Sequence, residues 1–177
     1  SLGSGAFMAV AIAFGMKLDA VRSMYDKYFT ASNFIPQPKL DHVLTVMDRR
    51  GLFSMDTLMD LVVRMFLENG LDLRGKRCCD APQKLYSVAS NMTTGHPTIL
   101  TGKVPILDAL RCTSAIPLLF EPQSLYGDIY LDGGVHLRCL GAVVPKDTLV
   151  IHISGAVQKL GPNSTLAQTL FACYGGR

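Results

Sequence analysis

LDALRCTSAIPLLFEPQSLYGDIYLDGGV, residues 107–135, is the stretch around which the rest of the chain is organised. Residues 129–131 form a short apolar run that predicts a β-strand. Gly133 and Gly134 then permit a sharp turn, so Asp132 is predicted at the point where the strand ends. A carboxylate at such a point borders a cleft and is a candidate for catalysis, the alternative being an aspartate that only closes the turn.

The first residues of the chain contain a candidate nucleophile that could act together with Asp132. Residues 1–15 read SLGSGAFMAVAIAFG, in which Ser-x-Gly runs directly into a helix of small apolar residues. This is the second half of a G-x-S-x-G nucleophile elbow, a strained turn that holds a serine oxygen at a helix N-terminus. Ser1 is therefore the candidate nucleophile, and Gly3 is the small residue that the turn requires. Leu2, the residue after the nucleophile, is the stronger candidate for an oxyanion donor.

The order of these parts resembles the patatin-like phospholipase family. The segments that carry the resemblance are Ser1-Leu2-Gly3, residues 88–95 (VASNMTTG), residues 108–122 (DALRCTSAIPLLFEP) and residues 130–134 (YLDGG). The last two segments are specific, whereas Ser-x-Gly alone is a weak signal. Alternating strands and helices, together with the resemblance, imply an α/β fold, a three-layer sandwich with a mainly parallel central sheet.

The resemblance implies that the chain is a lipid acyl hydrolase with a Ser-Asp dyad. Ser1 would attack the ester carbonyl of a glycerolipid, and Asp132 would accept its proton without the help of a histidine. Water would then hydrolyse the acyl-enzyme. A carboxylate with an ordinary pKa near 4 takes a proton from an alcohol only if the oxyanion is stabilised. The backbone N–H of Gly3 is expected near that oxyanion, and neither a metal nor another cofactor is implied.

Family members carry further parts before the elbow. These are a strand and a glycine-rich D-G-G-G-x-[KR]-G loop that supplies the oxyanion hole, followed by a second strand. Residues 1–177 contain none of them, so we expect this chain to be a partial patatin-like domain from a longer protein. A predicted helix over residues 166–174 that stops abruptly also indicates a missing C-terminal piece.

Three alternatives remain open. The order Ser, Asp, His of α/β-hydrolases fits Ser1, Asp132 and His152. An N-terminal nucleophile hydrolase would use the amine of Ser1 as its base, but it leaves the DGG and TSAIP segments unexplained. A non-catalytic lipid-binding or interaction protein of the same fold is the alternative from a different class.

Composition narrows the functional classes. The chain is 49% hydrophobic and 18% charged, as expected for one globular domain with an apolar core. A net charge of +3 from scattered basic residues does not indicate nucleic-acid binding. The five cysteines lack C-x-x-C spacing, so neither a disulfide framework nor a zinc site is predicted. No apolar run is long enough to span a bilayer. We expect a cytoplasmic or membrane-peripheral protein whose partners are a phospholipid or other acyl-lipid and a membrane surface.

Helices and strands are predicted along the whole chain. Helices are expected over residues 5–16, 17–30, 40–49, 55–68 and 104–114, and strands over residues 84–89, 98–100, 129–132 and 148–154. The third of these helices carries on one face four apolar residues, Leu40, Val43, Leu44 and Met47. Docking on lipid would use apolar loops such as Phe34-Ile35-Pro36 or Leu118-Leu119-Phe120, each of which is also a candidate for the core.

Overall fold

The computed structural model describes residues 3, 5–29, 39–137 and 140–148. Within these residues, helices and strands are interspersed along the chain, so the predicted α/β class is confirmed. The helices are α1 Gly5–Ala13, α2 Leu18–Tyr28, α3 Leu40–Arg49, α4 Met55–Glu68 and α5 Ile106–Thr113. The strands are β1 Gly51–Phe53, β2 Ser87–Asn91, β3 His96–Leu100, β4 Leu118–Phe120, β5 Gln123–Leu125 and β6 Asp128–Asp132.

The described strands form two sheets. β1 and β4 are parallel neighbours, whereas β3, β2, β6 and β5 form a second sheet in that order, with every pair antiparallel. Within the described residues, the parallel pairing of the predicted sheet is found between β1 and β4, whereas the other three strand pairs are antiparallel. The reason is that two of the connections are tight turns, one ending at Gly95 and one made by Tyr126-Gly127, all with positive φ. Short turns join antiparallel strands, because a parallel pair needs a long crossover. The predicted strand 148–154 lies outside the described residues except for its first position.

α1 contributes to the hydrophobic core. More than half of its nine residues are buried, and Phe7 meets the ring of Phe29 edge-on at 5.8 Å between centroids. Burying a side chain of that size contributes about 1.5–3 kcal/mol. The helix ends before the predicted Met16 because Gly15 adopts φ +75°, a conformation that terminates helices. Within the described part of the chain, no helix is both long enough and apolar enough to cross a bilayer.

α4 follows the prediction from the sequence closely. Ser54 caps it by accepting a hydrogen bond from the N–H of Asp56 at 3.2 Å, as its position before the helix indicated. Its inner face is apolar and buried, with Leu58, Val62, Met65 and Phe66 in the core. The helix therefore depends on both a local cap and a tertiary contact.

The predicted docking loop Leu118-Leu119-Phe120 is strand β4, and its three residues differ in exposure. Leu118 is 58% exposed, whereas Leu119 and Phe120 are buried at 3% and 4%. The two inner residues belong to the core because β4 pairs with β1 along Phe120 and Phe53. The predicted loop is thus only partly a surface, and the other predicted loop, Phe34-Ile35-Pro36, lies outside the described residues.

α3 has the predicted boundaries but none of its residues is buried. The four apolar residues on its one face, which we call the α3 face, are Leu40, Val43, Leu44 and Met47. The helix is held by the chain that continues into β1 and by His42, whose ring meets that of Phe53 at 5.3 Å. The sequence pattern identified the face, and the described residues leave it uncovered.

Candidate active site

Asp132 is the last residue of β6, an inner strand of the four-stranded sheet, and its register partner on β2 is Ala89. The backbone N–H of Asp132 donates to the carbonyl of Ala115 at 2.8 Å. The N–H of Gly134 donates to its Oδ1 at 2.7 Å, within a short 3-10 turn over Gly133–Val135. The predicted two-glycine turn therefore exists, and its backbone holds one oxygen of the carboxylate.

Gly3 lies against the other carboxylate oxygen. A Cβ placed on Gly3 would be 2.9 Å from Oδ2 of Asp132, closer than a side-chain carbon tolerates. Gly3 also has φ +49°, in the left-handed region where only glycine is free of strain. Both observations favour glycine at this position. They bring the residue that we predicted to be part of the elbow into contact with the predicted acid.

Thr113, Ser114 and Ala115 connect Gly3 to Asp132, and we call these three residues the bracket. The N–H of Gly3 donates to the carbonyl of Thr113 at 3.0 Å, and the hydroxyl of Ser114 donates to the carbonyl of Gly3 at 3.3 Å. Ala115 then accepts the N–H of Asp132. Thr113 is buried, and its hydroxyl donates to the Val88 carbonyl at 2.6 Å. Consecutive residues at the end of α5 thus fix Gly3 and the acid relative to one sheet.

Ser90 supports the turn after Asp132. Its buried hydroxyl donates to the carbonyl of Gly133 at 3.3 Å and accepts the N–H of His136 at 3.1 Å. The sequence assigned no role to Ser90 or to the bracket, although both lie in segments that carried the family resemblance. Only their place in those segments distinguished them from other small polar residues.

The surroundings of Asp132 suit a general base. Burial raises the pKa of Asp132 to about 6, and the hydrogen bond from Gly134 acts in the opposite direction. No charged side chain is among the causes of this shift. A base is most effective when its pKa lies near the operating pH, and this pKa is closer to neutrality than the ordinary value expected from the sequence.

Of the three residues predicted to form the nucleophile elbow, the structure describes only Gly3. Ser1 and Leu2 lie outside the described residues, so the contact of Ser1 with Asp132 stays a prediction. Because the N–H of Gly3 is bonded to Thr113, its geometry favours a role in the elbow over one as an oxyanion donor.

Histidine is not a partner of this acid in the described part of the chain. The hydrogen bonds described for Asp132 join it to Ala115 and Gly134. His42 instead accepts the backbone N–H of Lys39. His152, the base of the alternative triad, lies outside the described residues.

Gly3, in a left-handed conformation just before the buried helix α1, fits the second glycine of a nucleophile elbow on an α/β fold. The model of the patatin-like phospholipase family matches residues 3–139, a range that includes Gly3, the bracket and Asp132. The chain therefore belongs to the patatin-like phospholipase family. A search of curated proteins gave no significant match.

Proposed function

We propose that this protein is a lipid acyl hydrolase of the phospholipase A type, which cleaves glycerolipid esters through Ser1 and Asp132. The observation that supports this most is the closeness of Gly3 to Asp132. A Cβ placed on Gly3 would be 2.9 Å from Oδ2 of Asp132. Ser1 is two residues from Gly3, so covalent geometry keeps their Cα atoms within about 7 Å of each other. This restraint is compatible with the proposed contact between Ser1 and Asp132.

The two oxygens of Asp132 have different roles in the proposed mechanism. Oδ1 keeps its hydrogen bond from Gly134, which fixes the carboxylate, and Oδ2 on the Gly3 side receives the proton of Ser1. The hydroxyl oxygen attacks the ester carbonyl as its proton leaves, and Asp132 then gives that proton to the departing alcohol. Water repeats the sequence on the acyl-enzyme, with Asp132 again as the base.

The charge that develops on the ester oxygen needs donors other than Gly3. The N–H of Leu2 follows the nucleophile and is the proposed donor within this chain. The glycine-rich loop that the family carries before the elbow would supply the others. The acid alone would not give efficient turnover, because each oxyanion donor contributes on the order of 10² to 10³ in rate.

The raised pKa of Asp132 favours a catalytic role over a non-catalytic lipid-binding one. A carboxylate whose pKa is raised to about 6 is ionised at neutral pH at a cost in stability. Such a cost is common at sites where function requires it, and a chain without the chemistry gains nothing from keeping it. With a lipid as substrate, the proposed site of action is membrane-peripheral.

Covalent labelling of the complete protein tests the nucleophile. A fluorophosphonate, which traps activated serines, should modify Ser1, and mass spectrometry of the digested protein should locate the adduct there. Ser1→Ala should prevent labelling. An adduct at another serine in the wild type would contradict the proposal.

The pH dependence of short-chain ester hydrolysis tests the base. Because Asp132 must be deprotonated to accept the proton, kcat/KM should fall tenfold per pH unit below about pH 6 and be constant above it. His152→Ala should leave this profile unchanged. A profile that changes in His152→Ala would favour the triad alternative.

A further inference from the structure

The α3 face is an apolar surface without cover from the described residues. Its members Leu40, Val43, Leu44 and Met47 are 51% to 85% exposed. Their spacing of three and four residues places them on one side of the helix. Contiguous exposed apolar residues of this kind mark an interaction site, whereas single exposed ones do not.

Charged side chains border the α3 face. Lys39, Arg49 and Arg50 at its two ends are exposed, as are Asp41 and Asp48 along the helix. None of the ion pairs within the described residues includes any of these five. The border has three cations and two anions, so it leaves a small positive excess toward any partner.

The size of the α3 face argues against a second copy of the chain as its partner. A stable protein interface buries about 800 Å² per partner and takes about 20–30 residues on each side. The α3 face consists of only four apolar residues, on a helix that is ten residues long. A bilayer surface requires neither this area nor a matching shape, since an amphipathic helix lies in the headgroup region with its apolar face inserted about 5–10 Å.

A series of neighbouring residues connects α3 to the candidate active site. α3 ends at Arg49, and Gly51 of β1 then pairs with Leu118, which is itself exposed and has φ +67°. Leu118 is three residues from Ala115, the residue of the bracket that holds Asp132. The lengths of these chain segments and strand pairings together place the Cα atoms of Arg49 and Asp132 within about 30 Å of each other. A lipid surface that touches the end of α3 is therefore no farther from Asp132 than about the diameter of a small domain.

We propose that α3 is a docking helix that lies in the surface of a lipid bilayer with the α3 face inserted. The inference rests on the proposed function, because the substrate would be taken from that surface. Most of the affinity comes from the apolar residues. The small positive excess adds only a weak preference for anionic lipid.

Vesicle binding by the complete protein tests the docking helix. We expect the wild type to sediment with phosphatidylcholine vesicles and slightly better when phosphatidylserine is added. Leu44→Glu should lower the partition coefficient at least about tenfold, because a charge replaces a leucine that inserts into the bilayer in the wild type. Leu18→Glu is the matched control, since Leu18 on α2 is 74% exposed and Leu44 is 71% exposed. This control should bind as the wild type does.

Two further measurements separate the possible outcomes. Hydrolysis of a water-soluble short-chain ester should be equal in all three proteins, so a protein that binds vesicles without any esterase activity would contradict only the proposed function. Unchanged vesicle binding in Leu44→Glu would overturn the docking helix. So would a melting temperature lower in Leu44→Glu than in Leu18→Glu, which would mean that protein covers the face, or a dimer that Leu44→Glu dissociates.

Discussion

Asp132→Asn is expected to lower the turnover of a short-chain ester by about 10³-fold while the protein stays folded. Asparagine has nearly the same shape, and its side-chain oxygen still accepts the N–H of Gly134. It cannot accept the proton of Ser1, and a positioned base contributes about 10²- to 10⁴-fold. Initial rates of the complete protein, with circular dichroism to confirm the fold, give the result.

The Ser1 and Asp132 variants should not be additive. Ser1→Ala should lose about as much activity as Asp132→Asn, and the double variant should lose little more, because residues that act as one catalytic unit fail together. Near-normal turnover in Asp132→Asn would transfer the role of base to a histidine. His152→Ala would then be the next variant to measure.

Asp132→Asn should also change how stability depends on pH. The pKa of Asp132 is raised to about 6 in the folded protein, above an unfolded value near 3.9. The folded state therefore favours the protonated acid, and the wild type loses stability as pH rises from about 4 to about 6. Above that range the loss amounts to about 2–3 kcal/mol at 1.36 kcal/mol per pKa unit.

The asparagine variant has no such loss. The difference in free energy of unfolding, variant minus wild type, should therefore be larger at pH 8 than at pH 4. Urea unfolding of both proteins at the two pH values measures the difference. An equal difference at pH 4 and pH 8 would show that burial does not raise the pKa of this acid. The comparison is informative even if the protein has no esterase activity.

Features that depend on neighbouring residues were predictable from the sequence. The strand that ends at Asp132 and the turn after it follow from an apolar run and two glycines. The boundaries of α4 follow from Ser54 at its start and from Asn69-Gly70 after its last residue. In each case the residues that decide the structure are within a few positions of one another, so their pattern carries the information.

Features that depend on distant residues were not predictable in this way. The bracket joins Thr113 to Gly3 across 110 positions, and no local pattern records that contact. The raised pKa of Asp132 has the same origin, because burial by other segments determines it. Periodicity also identified the α3 face without showing whether anything covers it, since a buried and an exposed apolar stripe have the same spacing.

Gly3→Ala is expected to be nearly as damaging to activity as the loss of the acid, although it adds only a methyl group. Alanine is strained by about 1–2 kcal/mol at the φ of +49° that Gly3 adopts. Its Cβ would also be 2.9 Å from Oδ2 of Asp132, so either the carboxylate or the backbone must shift. A misplacement of about 1 Å costs about 10²-fold in rate, and we expect at least this loss in kcat.

Gly5→Ala is the matched control for this variant. Gly5 begins α1 two residues further on, and a Cβ placed there meets nothing within 4 Å. It should keep normal turnover and gain slightly in helix stability. If Gly3 acts by positioning Asp132, then Gly3→Ala should cost little when added to Asp132→Asn, because the base is already absent. Normal turnover in Gly3→Ala, or a full additional loss in the double variant, would show that the contact between Gly3 and Asp132 does not serve the reaction.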